Sequence, residues 1–145
     1  MMSRNEPWDS YRKVATQTAT PGQLVLMLYD GALNFLEKAM IGFNYEDPLL
    51  FNQTISNNIV RAQAIIHEMN ASLNMEAGGE VASNFRRLYN YFYRRLTEAN
   101  HNKQKAPIEE TIARLRELRD SWAEMLRNGG EARHAASLSV EGAAA

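Results

Sequence analysis

Residues 20–43 read Thr20-Pro21-Gly22-Gln23-Leu24-Val25-Leu26-Met27-Leu28-Tyr29-Asp30-Gly31-Ala32-Leu33-Asn34-Phe35-Leu36-Glu37-Lys38-Ala39-Met40-Ile41-Gly42-Phe43. A threonine directly before a proline fits the N-cap and first position of a helix. At about 100° per residue, Gln23, Asp30, Asn34, Glu37 and Lys38 fall within a strip roughly 100° wide. The apolar arc is about 220°, roughly twice the stripe a surface helix needs. Val25, Ala32 and Ala39 lie near the middle of that arc, spaced by seven, and invite a facing helix to approach closely. Leu24, Leu28 and Phe35 flank one side; Leu26, Tyr29, Leu33, Leu36 and Met40 flank the other. Two arrangements account for so wide an arc. Either the helix is wedged between two neighbours that bury both flanks, or one flank faces an open groove that takes an apolar guest.

Working outward, the punctuation repeats. Asp47-Pro48 opens a second helix, Gly78-Gly79 breaks the pattern before a third, Ala106-Pro107 opens a fourth, and Gly129-Gly130 closes it. The second carries Phe51, Ile55, Ile59, Ala62, Ile66, Met69 and Leu73. The third carries Val81, Phe85, Leu88, Phe92, Leu96 and Ala99, and the fourth Ile108, Ile112, Leu115, Leu118, Trp122 and Met125. Spacings of three and four mark amphipathic helices, and no stretch alternates with the period of a strand. Short connectors make neighbouring helices antiparallel. The sequence therefore predicts an all-α fold, an antiparallel up-down four-helix bundle over 20–127, with helices at about 20–43, 48–74, 79–102 and 107–127. Residues 1–19 hold Trp8, Tyr11 and Val14 at spacings of three, a short amphipathic segment that suits a movable lid. It is too short to persist as an isolated helix. Residues 128–145 turn Gly-, Ala- and Ser-rich and read as a disordered tail.

The chain has 145 residues, 45% hydrophobic, with no cysteine and a formal charge of -1. That length suits one domain. The absence of cysteine excludes a disulfide framework, a cysteine zinc site and a cysteine nucleophile. The charge balance argues against a nucleic-acid binder, whose affinity comes largely from neutralising phosphates. The longest apolar run, Leu24–Tyr29, falls far short of the roughly 20 residues a membrane span needs. Met1–Pro7 shows no apolar run of the kind a signal peptide carries, so the cytoplasm is the expected compartment.

Chemistry-bearing patterns are sparse. Glu98-Ala99-Asn100-His101 supplies one Glu-x-x-His element of a di-iron bundle, but Ala64 stands where His67 would need its glutamate. No metal or other cofactor is expected. A lone helical His67 leaves open a His phosphotransfer module or another helical signalling adaptor. Gly78-Gly79 lacks the Lys-Ser/Thr of a phosphate loop. Arg86-Arg87 and Arg94-Arg95 spread around a helix and read as solvated or salt-bridged. Two other features stand out. Between Asn52 and Asn70 only Arg61 and Glu68 are charged, and the polar face is built of uncharged amides and hydroxyls. Such amides either reflect composition or pair with the backbone of an extended guest. Tyr89, Tyr91, Phe92 and Tyr93 fall within one turn and a half, so some of these rings must reach a surface.

Several segments together resemble the FliS family of flagellar secretion chaperones. They are Thr20–Ala32, then Gly78-Gly79-Glu80-Val81-Ala82-Ser83-Asn84, then Leu88-Tyr89-Asn90-Tyr91 with Arg94-Arg95-Leu96-Thr97-Glu98-Ala99-Asn100, and finally Leu115-Arg116-Glu117-Leu118-Arg119-Asp120-Ser121-Trp122. In order and spacing they span about residues 11–127. Asn74 departs from the family, where an acidic residue is common, and the tail beyond Arg127 matches nothing. The resemblance implies an antiparallel helical bundle without enzymatic activity. It implies a partner, the C-terminal segment of flagellin, which is disordered in the monomer and helical in the filament. The guest wraps the bundle and lays apolar side chains into grooves. The N-terminal segment, with a tyrosine corresponding to Tyr11, covers part of the site and also affects docking at the flagellar export gate. On these grounds the expected groove and lid residues are Tyr11, Val14, Leu26, Tyr29, Leu33, Leu36, Tyr89 and Tyr93. An open apolar groove also favours weak homodimerisation.

Overall fold

The computed structural model describes Asp9 and residues 19–129. The described chain is four α-helices with no strand: α1 (Pro21–Gly42), α2 (Pro48–Ala71), α3 (Met75–Asn102) and α4 (Ala106–Arg127). The proposed lid residues Tyr11 and Val14, and the tail from 130 onward, lie outside the described residues.

Three of the four helix starts carry a side-chain cap, and the fourth has only its early proline, Pro107. Thr20 Oγ1 accepts from Gln23 N at 3.2 Å while Gln23 Oε1 accepts from Thr20 N at 3.1 Å, a reciprocal capping box ahead of Pro21. Asp47 caps α2 by accepting from Leu49 N at 3.1 Å, ahead of Pro48. The third helix begins at Met75 rather than at 79. Asn74 accepts from both Glu76 N and Ala77 N, which starts a turn early. Gly79, at φ 53° and ψ −130°, then kinks the helix before its long run to Asn102. That backbone state is open to glycine and costly for other residues. Lys103, at φ 51°, ends α3 in the left-handed conformation with its N–H bonded to Ala99 O.

Four antiparallel helices stand at the corners of a square. α1 packs on α2 and α4, and α3 packs on the same two. Leu36, Ile55, Ile59, Ile66, Phe92, Leu96, Ile108 and Leu115 are completely buried at the centre. At the end of α1 a methyl group on Gly42 would lie 2.9 Å from Ile55 Cγ1 and 3.1 Å from Ile55 N, so only glycine allows α1 and α2 to come this close. At the other end, Trp122 Nε1 donates to Gly22 O at 2.7 Å and fastens α4 to the start of α1. No described helix is long and apolar enough to cross a membrane.

Candidate docking face

The wide apolar arc of α1 is sealed, which corrects the expectation of an open flank. Leu36 is 0% exposed and Tyr29 3%, and Leu33 is buried with them. Ala32 and Ala39, also fully buried, let the neighbours in. Leu26 is half-buried and packs against the same core. The polar strip is engaged too: Arg119 Nε meets Asp30 Oδ1 at 2.8 Å, and Arg116 pairs with Glu37, closing the seam with α4. The arc is wide because α1 has two flanking neighbours and also reaches the diagonal helix. There Tyr29 and Tyr89 share a buried hydroxyl–hydroxyl hydrogen bond of 2.9 Å. Burial pushes both phenols above their ordinary pKa, Tyr89 the further because Tyr29 also crowds its charged form.

The third-helix rings divide as a helix must divide them. Tyr89 and Phe92 face the core. Tyr91 donates to Glu110 Oε2 at 2.7 Å, and Arg95 Nε reaches Glu110 Oε1 at 3.0 Å. Those two bonds hold the Glu110 carboxyl below the usual range. Tyr93 is 45% exposed.

The unsatisfied surface lies on α2. Its exposed positions are Pro48, Leu49, Leu50, Asn52, Gln53, Val60, Ala64, His67 and Ala71, and none carries a formal charge. Leu49 is 61% exposed and Val60 53%. The segment's two charged residues, Arg61 and Glu68, are half-buried. Several amides expected to meet a guest are used by the bundle itself. Gln63 Nε2 donates to Tyr93 O and Thr97 Oγ1, Asn58 Nδ2 to Thr54 O, and Asn70 Nδ2 to Asn90 Oδ1.

Two clefts border this face. One, of about 370 Å³, lies between α1 and α2 and is lined by Phe35, Lys38, Ile41, Tyr45, Thr54, Asn58 and Arg61. The other, of about 240 Å³, lies between α2 and α3 and is lined by Ile66, His67, Asn70, Tyr89, Asn90, Tyr93 and Arg94. Of the expected site residues, the structure thus places Tyr89 and Tyr93 together at one cleft. It places Leu26, Tyr29, Leu33 and Leu36 in or against the core. Sequence reasoning missed Ile41, Tyr45, Leu49 and Val60. The available signal was the absence of Lys and Glu from the outside of α2. Among the described residues, no group of three His, Cys, Asp or Glu could hold a metal ion.

Comparison with known proteins identifies the family. The family model described as flagellar protein FliS matches residues 4–129. The chain is 32% identical over 133 residues to the flagellar secretion chaperone FliS of Bacillus subtilis, covering 92% of this chain and 96% of that one. It is 33% identical over 111 residues to the flagellar secretion chaperone FliS of Salmonella typhimurium, covering 77% and 80%. With that of Campylobacter jejuni it shares 30% over 127 residues, covering 88% and 96%. A capped four-helix bundle matched by the family model over 4–129 belongs to the FliS family of flagellar secretion chaperones, whose members are chaperones and not enzymes.

Proposed function

We propose that this chain is a cytoplasmic export chaperone for flagellin. It binds the disordered C-terminal segment of flagellin, prevents premature polymerisation, and keeps the subunit competent for flagellar type III secretion. The observation that carries the reading is the charge-free, partly apolar outer face of α2 in a chain of this family. An amphipathic helix docks on such a face by laying spaced apolar anchors into the clefts that border it. Each anchor fully buried contributes about 1.5–3 kcal/mol, while ordering the guest costs about 2–5 kcal/mol or more. A handful of anchors therefore gives tight binding, provided the receptor is rigid. Tyr93 meets the guest directly. Tyr29, Leu33, Leu36 and Tyr89 stand behind the face as its fixed floor, with Leu26 packed against them. Tyr11 and Val14 of the N-terminal segment compete with the guest, and the loaded complex docks at the export gate. Unloaded, the apolar face supports weak homodimerisation.

The test is titration with a synthetic flagellin C-terminal peptide, followed by circular dichroism. The expected result is saturable helix gain beyond the sum of the separate spectra. Additive spectra at micromolar concentrations with no heat of binding would reject the reading. The alternative, phosphotransfer through His67, has only the exposure of that imidazole in its support; stable label on His67 from a kinase partner would favour it.

A further inference from the structure

The cleft between α1 and α2 differs in charge from the face it borders. Phe35, Ile41 and Tyr45 make apolar walls, while Lys38 and Arg61 bring two cations and no acidic residue lines it. Elsewhere on the described surface Arg95, Arg116 and Arg119 each meet a carboxylate. Neither Lys38 nor Arg61 forms an ion pair among the described residues. Lys38 Nζ sits 5.6 Å from the centre of the Phe35 ring. Arg61 Nη1 donates to Asn57 O at 3.3 Å. Its Nε is shut away from water and has no acceptor, the single buried side-chain nitrogen or oxygen so placed among the described residues. A buried donor without an acceptor is destabilising, and such groups in native proteins usually have a reason.

We propose that this cleft takes a carboxylate carried by an Asp or Glu side chain of the guest helix. The inference rests on the flagellin-binding reading above and deepens it. With Nη1 held by Asn57, the remaining edge of the guanidinium is the Nε–Nη2 side, one of the two edges that grip a carboxylate with paired hydrogen bonds. Arg61 lines the cleft, and a turn of its side chain that exchanges the Asn57 bond for the guest carboxylate brings the buried Nε to that carboxylate. Lys38, itself exposed, adds a second positive charge beside the same apolar walls. The apolar neighbours of the acidic residue then pack on Ile41 and Tyr45. The α2 face supplies affinity; this cleft sets the register in which the guest lies along it.

The experiment uses the full chain and a set of flagellin C-terminal peptides in which each acidic residue is singly changed to its amide, with one further peptide amidated at its terminus. Binding is measured by calorimetry for the wild type, Arg61→Gln and Lys38→Gln, with thermal melts as the control for folding. At one acidic position the amide change weakens wild-type binding about tenfold, the size expected of a charge-assisted pair, but weakens Arg61→Gln binding less than about twofold. Lys38→Gln, a surface change, shows the same coupling in smaller measure, and added salt weakens the wild type more than either variant. Equal losses for wild type and both variants at every position would overturn the proposal while leaving the flagellin reading intact. Loss confined to the peptide with an amidated terminus would also overturn it. Failure of the wild type to bind any peptide would overturn both.

Discussion

Helices α1 and α2 lie side by side and handle apolar residues in opposite ways. α1 carries the greater excess and hides nearly all of it, using three neighbours to do so. α2 has fewer apolar residues to spare, yet leaves Leu49, Leu50 and Val60 outside, on a face whose other exposed positions are a proline, two amides, two alanines and a histidine. The contrast separates two properties that a hydropathy pattern merges. The width of an apolar arc reports how many helices surround an element. A solvent face without charge reports what is expected to cover it, because an ordinary solvated helix face is charged.

Deleting atoms from the α1 side should give the largest loss of stability. Leu36→Ala removes a fully buried side chain and should cost about 2–5 kcal/mol in urea denaturation. An intermediate effect is expected at the tyrosine pair. Tyr29→Phe leaves the Tyr89 hydroxyl buried and unpaired, at about 1–3 kcal/mol, whereas Tyr29→Phe with Tyr89→Phe should be nearly neutral. The same pair sets an alkaline limit. Both folded pKa values are raised, so the contribution is complete below the unfolded value of about 10 and is lost as pH rises through the folded values. The extra loss of stability above that pH should be absent from the double variant. The smallest stability effect belongs to α2. Val60→Glu or Ala64→Glu should change stability by no more than about 0.5 kcal/mol, yet weaken peptide binding at least about tenfold by forcing a charge against an apolar guest. A Val60→Glu protein that binds normally would erase the distinction between the two helices.

The fold was readable because its signals are local. Thr20-Pro21 and Asp47-Pro48 are chemical stops, and spacings of three and four locate the buried faces without tertiary knowledge. The start of α3 was less readable, since Gly78-Gly79 suggested a break while Asn74 had already capped a turn. The docking face was harder still. Whether a flank of α1 is open depends on how many helices reach it, and Tyr29 touches a residue sixty positions away. Composition alone pointed to α2, through a polar face with almost no Lys or Glu, but Asn58, Gln63 and Asn70 bond their amides to partners within the bundle, so only part of that face is left unbonded. Arg61 was visible as one of two charges in the segment; its missing acceptor is a property of packing and has no signature in the sequence.

The indole of Trp122 has a practical consequence. It sits in the seam with Gly22, a few residues after the N-terminal segment joins the first helix. The chain has one other tryptophan, Trp8, within that segment. With Trp8 replaced by phenylalanine, the remaining emitter becomes a built-in optical gauge of this junction, whose colour shifts when water enters the seam. Opening and closing of the seam between α1 and α4 can then be timed in a stopped-flow cuvette without attaching a dye.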